Sequence, residues 1–156
     1  MTALASKVLE PHEGLRLQSG PGRDLVFKVT GDDTAGAFDY FVVEVAPMGG
    51  PPLHVHHRQE ETIHVLKGRF KVRIGDETFR CEEGGFAYLP SGQPHAFLNL
   101  TDEPGEITVV YTPGGGHRFY EELGPMTRNG PPDRLAVAAL FEKYEMTLLG
   151  PPLTAD

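Results

Sequence analysis

Apolar and polar positions alternate along most of the first 112 residues, in short runs broken by glycine and proline. "DLVFKVT" (24–30), "FDYFVVEVA" (38–46), "ETIHVLKG" (61–68), "FKVRIG" (70–75), "ETFRCEE" (77–83), "GFAYLP" (85–90), "HAFLNL" (95–100) and "EITVVYT" (106–112) each read as a strand. Phe70, Val72 and Ile74 fall on one strand face and Lys71 and Arg73 on the other, with Gly75-Asp76 as the turn of a hairpin. "MGGPP" and "LPSGQP" read as loops whose path glycine and proline set.

The pattern changes near the end. In "PPDRLAVAALFEKYEM" (131–146), Val137, Leu140, Phe141 and Tyr144 stand at i, i+3, i+4 and i+7, one stripe of a helix over residues 132–146. Pro131 and Pro132 suit its start. One amphipathic helix packed outside the β unit is expected, followed by an extended or mobile tail, "GPPLTAD". Strands in this number close into an antiparallel barrel or stack as a two-sheet jelly roll, which limits exposed edges. No repeat or linker divides residues 1–156, so one domain is expected.

Composition narrows the partners. Lysine plus arginine is 14 against 22 acidic residues, a net charge of −8. Nucleic acid and anionic membranes need a basic surface and are disfavoured, whereas a small anion in a locally positive pocket is not. Cys81 is the only cysteine, so no intrachain disulfide forms. "MTALASKVLEPHEG" lacks the apolar core of a signal peptide, and no run reaches the roughly 20 apolar residues of a membrane span. A soluble cytoplasmic protein is the expectation.

"PPLHVHHRQEETIHVLKGRF" (51–70) holds the candidate chemistry. In a strand, His54 and His56 point to one side and His57 to the other. Two imidazoles aimed together can share a metal at about 2.0–2.1 Å, and a nearby glutamate adds a hard oxygen. A solvated histidine cluster at a loop end is the plain alternative. "GGFAYLPSGQPHAFLN" (84–99) adds His95 beyond a sharp reversal at Pro90 and Gly92, and His95, Phe97 and Asn99 share a face.

At these two stretches the chain resembles the cupin superfamily. The first cupin motif, G-x5-H-x-H-x(3,4)-E-x6-G, reads here as His54, His56, Glu61 and Gly68. Its opening glycine is displaced: Met48 holds that place, with Gly49 and Gly50 just after it. The second, G-x5-P-x-G-x2-H-x3-N, matches at Gly84, Pro90, Gly92, His95 and Asn99. The strand pattern extends the likeness to roughly residues 20–115. Within the superfamily, the metal motif and the single-barrel length resemble one-domain proteins related to quercetin 2,3-dioxygenase.

The resemblance implies an all-β fold, an antiparallel double-stranded β-helix or jelly-roll barrel, with His54, His56, Glu61 and His95 as ligands of one divalent transition metal (Fe, Mn, Ni, Zn, Co or Cu). Glu60 competes with Glu61. Glu61 alone leaves six residues before Gly68 and shares parity with the apolar Ile63 and Val65, while Glu60 falls on the face of Thr62 and His64. The resemblance further implies a dioxygenase of an aromatic or enol-forming small molecule, with Glu61 accepting the substrate's hydroxyl proton. A metal-dependent isomerase or lyase and a non-enzymatic ligand-binding barrel are the alternatives. Small cupins commonly pair by exchanging an N-terminal strand, so a homodimer is expected, with "SKVLEPHEGLRLQ" (6–18) as the reaching segment. His57 is expected on the surface or just behind the ligands, His64 on the outer face or at a barrel-to-barrel contact, His12 and His117 solvated, and Asn99 at a strand end as a hydrogen-bonding residue. Tyr40, Phe41, Phe86, Tyr88 and Phe97 could line an aromatic-binding cavity, although barrel core is the better reading for them.

Overall fold

The computed structural model describes residues 3–20 and 23–156; Met1 and Thr2 of the segment read for a leader, and Pro21 and Gly22 of the expected barrel span, lie outside it. In chain order the elements are β1 (Leu15–Gln18), β2 (Arg23–Val29), β3 (Asp39–Val45), β4 (Pro52–His56), β5 (Glu60–Lys67), β6 (Phe70–Ile74), β7 (Glu77–Cys81), β8 (Phe86–Leu89), β9 (His95–Asn99), β10 (Gly105–Thr112), α1 (His117–Thr127), α2 (Arg134–Lys143) and β11 (Met146–Pro152). The strands form two antiparallel sheets, ordered β1-β2-β3-β10-β5-β8 and β11-β4-β9-β6-β7. This is the all-β jelly-roll architecture expected from the alternation.

Period-two patterning fixes which side chains enter the core. On β3, Asp39, Phe41, Val43 and Val45 are buried while Tyr40, Val42 and Glu44 turn outward. β5 does the same with Glu61, Ile63 and Val65. Phe27 stacks on Phe41 at 4.3 Å, and Tyr111 meets Phe41 edge-on at 5.0 Å. Burying each such side chain contributes about 1.5–3 kcal/mol. A one-residue slip would turn the whole set to solvent, so the core locks the register.

The expected hairpin is present, with Ile74 opposite Glu77 across Gly75-Asp76. Gly92 takes the positive φ that the sharp reversal needs, +85°, and its N–H donates to the His56 carbonyl at 2.8 Å. Asn99 is fully buried; its Nδ2 donates to the Val45 and Glu103 carbonyls and its Oδ1 accepts from Thr101. It closes a strand end, as expected.

Two expectations are corrected at the C-terminal side. Two helices form where one was expected. α1 was hidden because Gly124 and Pro125 interrupt its apolar stripe, yet Phe119 and Leu123 still anchor it in a cluster with Leu140, Phe141 and Met146. α2 is shorter than 132–146: Asp133 caps its start by accepting from Leu135 and Ala136, and Tyr144 ends it. Of the two states expected for the tail, the extended one is found: residues 146–152 return as β11 beside β4, and Lys71 Nζ donates to the Thr154 and Asp156 carbonyls. On the N-terminal side, Leu15–Gln18 pairs with β2 of its own chain, and Lys28 Nζ holds the preceding loop through the Pro11 and Glu13 carbonyls.

Candidate metal centre

His54 and His56 stand on β4, Glu61 on β5 and His95 on β9. β4 and β9 are neighbours in one sheet, with His54 directly opposite His95. β5 belongs to the other sheet. All four side chains are buried, and one ligand atom from each lies within 4.8 Å of all the others. The His54 and His95 ring centroids are 4.5 Å apart; His56 and His95 stack at 5.2 Å.

Each imidazole is oriented through its Nδ1. His54 Nδ1 is 2.7 Å from the Pro52 carbonyl and His95 Nδ1 is 3.1 Å from the Gln93 carbonyl. His56 Nδ1 is 3.3 Å from Gln59 Oε1, and Gln59 in turn donates through Nε2 to the Pro113 carbonyl. Carbonyl-type oxygens only accept, so each Nδ1 carries a proton; on His54 and His56 this leaves the Nε2 lone pair free for a metal, whereas His95 Nε2 faces the Glu61 carboxylate. Glu61 Oε2 lies 2.9 Å from His95 Nε2 and 3.5 Å from His56 Nε2.

Burial, and then the neighbouring imidazoles, push the pKa values of His54 and His56 down to about 3, so both rings are neutral at neutral pH. Burial also lowers His95, but the Glu61 charge and hydrogen bond and the Gln93 carbonyl outweigh it, and the net direction is upward. His56 Nε2 is buried without a hydrogen-bond partner, which is costly for a polar atom. A divalent ion fits this arrangement. With bonds of about 2.1 Å, ligand atoms on one ion stand about 3 to 4 Å apart, close to the spread found here. Neutral imidazoles and one carboxylate are borderline ligands suited to Fe, Mn, Ni, Co, Cu or Zn.

The centre opens into a cavity of about 550 Å³. His54, His56 and Glu61 reach it, and Phe41, Phe97, Val109, Phe119 and Phe141 give it an apolar wall. The helices cover the barrel on this side: Phe141 of α2 lies edge-on to His54 at 5.9 Å. Tyr111, opposite Glu61 in the β10–β5 register, shares a 2.8 Å hydrogen bond with Tyr120 of α1. Burial raises both phenols, Tyr120 to about 12, so both keep their protons at neutral pH.

Glu60 is exposed and accepts a hydrogen bond from Tyr88, away from the cluster. His57 is exposed and bonds Thr147 Oγ1 through Nε2; His64 and His12 are also exposed. His117 departs from expectation. It is buried, with Nε2 3.3 Å from Asp32 and Nδ1 3.8 Å from Asp39. Asp39 is itself fully buried and accepts from the Gly31, Gly115 and Gly116 N–H groups, so this cluster ties the start of α1 to the barrel. Of the five aromatics considered for the cavity, Phe41 and Phe97 line it, whereas Tyr40, Phe86 and Tyr88 are exposed on outer faces. Three lining groups escaped the motif reading: Arg23, Tyr111 and Tyr120. None lies within a motif, and only the folded sheet and α1 bring them to the cavity.

Residues 41–111 match the family model described as "Cupin domain". An uncharacterised protein of Methanocaldococcus jannaschii is 30% identical over 80 residues, 51% of this chain and 64% of its own. Quercetin 2,3-dioxygenase of Bacillus subtilis is 28% identical over 88 residues, 52% of this chain and 26% of its own. The chain thus spans less than two thirds of the length of these relatives. Among solved structures, KdgF from a Halomonas species superposes with a TM-score of 0.65 at 17% identity, over 73% of this chain and 99% of that one.

Proposed function

We propose that this chain, a member of the cupin superfamily, is a metal-dependent dioxygenase of an aromatic or enol-forming small molecule. His54, His56, Glu61 and His95 are its proposed ligands for one divalent transition metal. The observation that carries the reading is the opening of this four-residue cluster onto a largely apolar cavity. Its volume of about 550 Å³ lies within the range of pockets that enclose drug-sized ligands. When bound, the metal supplies Lewis-acid polarisation of a substrate oxygen and a meeting place for dioxygen.

The chain's own residues supply the rest. The Nδ1 partners hold three rings in one orientation, so the site is preorganised. Phe41, Phe97 and Phe141 line the cavity with aromatic surface suited to a planar ligand. Glu61 Oε2 is the proposed acceptor of the substrate hydroxyl proton. A second reading has one observation in its favour. The Tyr111–Tyr120 pair places a protonated hydroxyl in the cavity, the acid group that a metal-dependent isomerase or lyase would need.

Metal content of protein purified without added metal, beside a His54→Ala/His95→Ala variant, is the first test. Near one transition metal per chain, lost in the variant, supports the centre. Oxygen uptake with flavonols and other enols then separates the dioxygenase from the isomerase. Ligand binding without turnover would leave a non-enzymatic barrel. The same preparation tests two further proposals, that residues 1–156 act as one domain and that the chain is a homodimer; a monomeric mass by light scattering would overturn the latter.

A further inference from the structure

We propose that Arg23 anchors a carboxylate on the substrate, so that the cavity takes an otherwise apolar, carboxylate-bearing molecule. The inference rests on the cavity being the substrate site. Arg23 begins β2 and lines the cavity shared with His54, His56 and Glu61. It is the one arginine or lysine among the described lining residues. Its Nη2 donates to the Ser19 carbonyl at 2.8 Å, and no carboxylate among the described residues lies within ion-pair distance of it. A guanidinium has five N–H donors, so the described residues engage only a small part of this one's hydrogen-bonding capacity.

A partly buried cation without a counter-charge is costly to maintain. Burial lowers the Arg23 pKa, and the phenols of Tyr120 and Tyr111 beside it are uncharged at neutral pH. Glu61, the only carboxylate on the described cavity wall, is already engaged by His95. The remaining wall is largely apolar. An incoming carboxylate would therefore find one fixed, bidentate partner and no competitor. The chain's net charge of −8 would otherwise repel such a ligand, which makes a local cation the means of admitting it. Its hydrogen bond to Ser19 holds the guanidinium beside the β1–β2 connection, so part of its ordering cost is met before binding.

The test is calorimetric titration of the full-length chain with 2-naphthoate and with its neutral partner 2-naphthamide, in wild type, Arg23→Gln and Arg23→Lys. Each is run metal-loaded and after chelation, because a bound metal would itself attract a carboxylate. After chelation, wild type should bind naphthoate at least about tenfold more tightly than naphthamide. Arg23→Gln should lose that preference while keeping its naphthamide affinity, which also shows that the cavity is intact. Arg23→Lys should retain part of the preference, since it keeps charge without the fork. Naphthoate binding no tighter than naphthamide in wild type, including no binding of either, overturns the proposal. So does a preference that survives in Arg23→Gln. The readout needs neither metal nor turnover, so failure of oxygen uptake leaves it standing, and its own failure leaves the dioxygenase reading standing.

Discussion

Glu61 Oε2 on β5 lies 2.9 Å from His95 Nε2 on β9, a buried contact that joins the two sheets through the candidate metal centre. Neither sheet contains the whole cluster. Two histidine strands come from one sheet and the carboxylate from the other, so the centre forms only when the sheets close on each other. Glu61→Gln keeps the side chain's size while removing its charge. Metal affinity should fall by at least about tenfold, read by competition with a fluorescent chelator. Unchanged affinity would remove Glu61 from the ligand set.

Gln59 gives a sharper test of orientation. Its side chain hydrogen-bonds His56 Nδ1 and the Pro113 carbonyl, and steadies one ring from outside the cluster. Gln59→Ala should weaken metal binding by about 10–100-fold with the ligands themselves untouched. The same competition assay reads it, and a wild-type affinity would show that the strand alone orients His56.

Metal removal should be visible in stability. His56 Nε2 is buried without a partner, and Glu61 draws the His95 ring toward it. A metal held at 100 times its Kd stabilises the folded chain by about 2.7 kcal/mol. For a chain of this length that corresponds to a rise of roughly 5–10 °C in Tm, absent in His54→Ala/His95→Ala. Equal Tm with and without metal would place binding elsewhere.

The motif residues were legible because spacing and strand parity carry geometry directly. Alternation separated buried Glu61 from exposed Glu60, and His54 and His56 from His57. The cavity was not legible. Arg23, Tyr111, Tyr120 and Phe141 sit 31 to 85 positions from the nearest of His54 and His56 and converge only through sheet register and helix docking. α1 was missed for a local reason, since Gly124 and Pro125 both score against a helix whose stability comes from packing Phe119 and Leu123. His117 was misjudged because nothing in "GGGHRF" announces that the preceding glycine N–H groups wrap a buried aspartate 76 and 77 positions earlier.

Glu60→Gln provides the control that parity demands. The residue is exposed and, among the described residues, its side chain bonds the Tyr88 hydroxyl, so its loss should change stability by less than about 1 kcal/mol. Metal content should match wild type. A loss of metal comparable to that in Glu61→Gln would reverse the assignment of the two glutamates.

Gly50 controls the framework beneath the centre. A Cβ added there would overlap the Phe97 carbonyl oxygen and lie 3.0 Å from its carbon. Both are backbone atoms of β9, the strand that carries His95, so no side-chain rotation can relieve the overlap. β9 would have to shift, and His95 with it. Gly50→Ala should therefore cost more than about 4 kcal/mol, in the range that few single substitutions reach. Denaturant titration reads the stability, and metal content of the surviving folded fraction reads the displacement of His95. A variant with wild-type stability and full metal loading would mean that β9 leaves room for a side chain at Gly50.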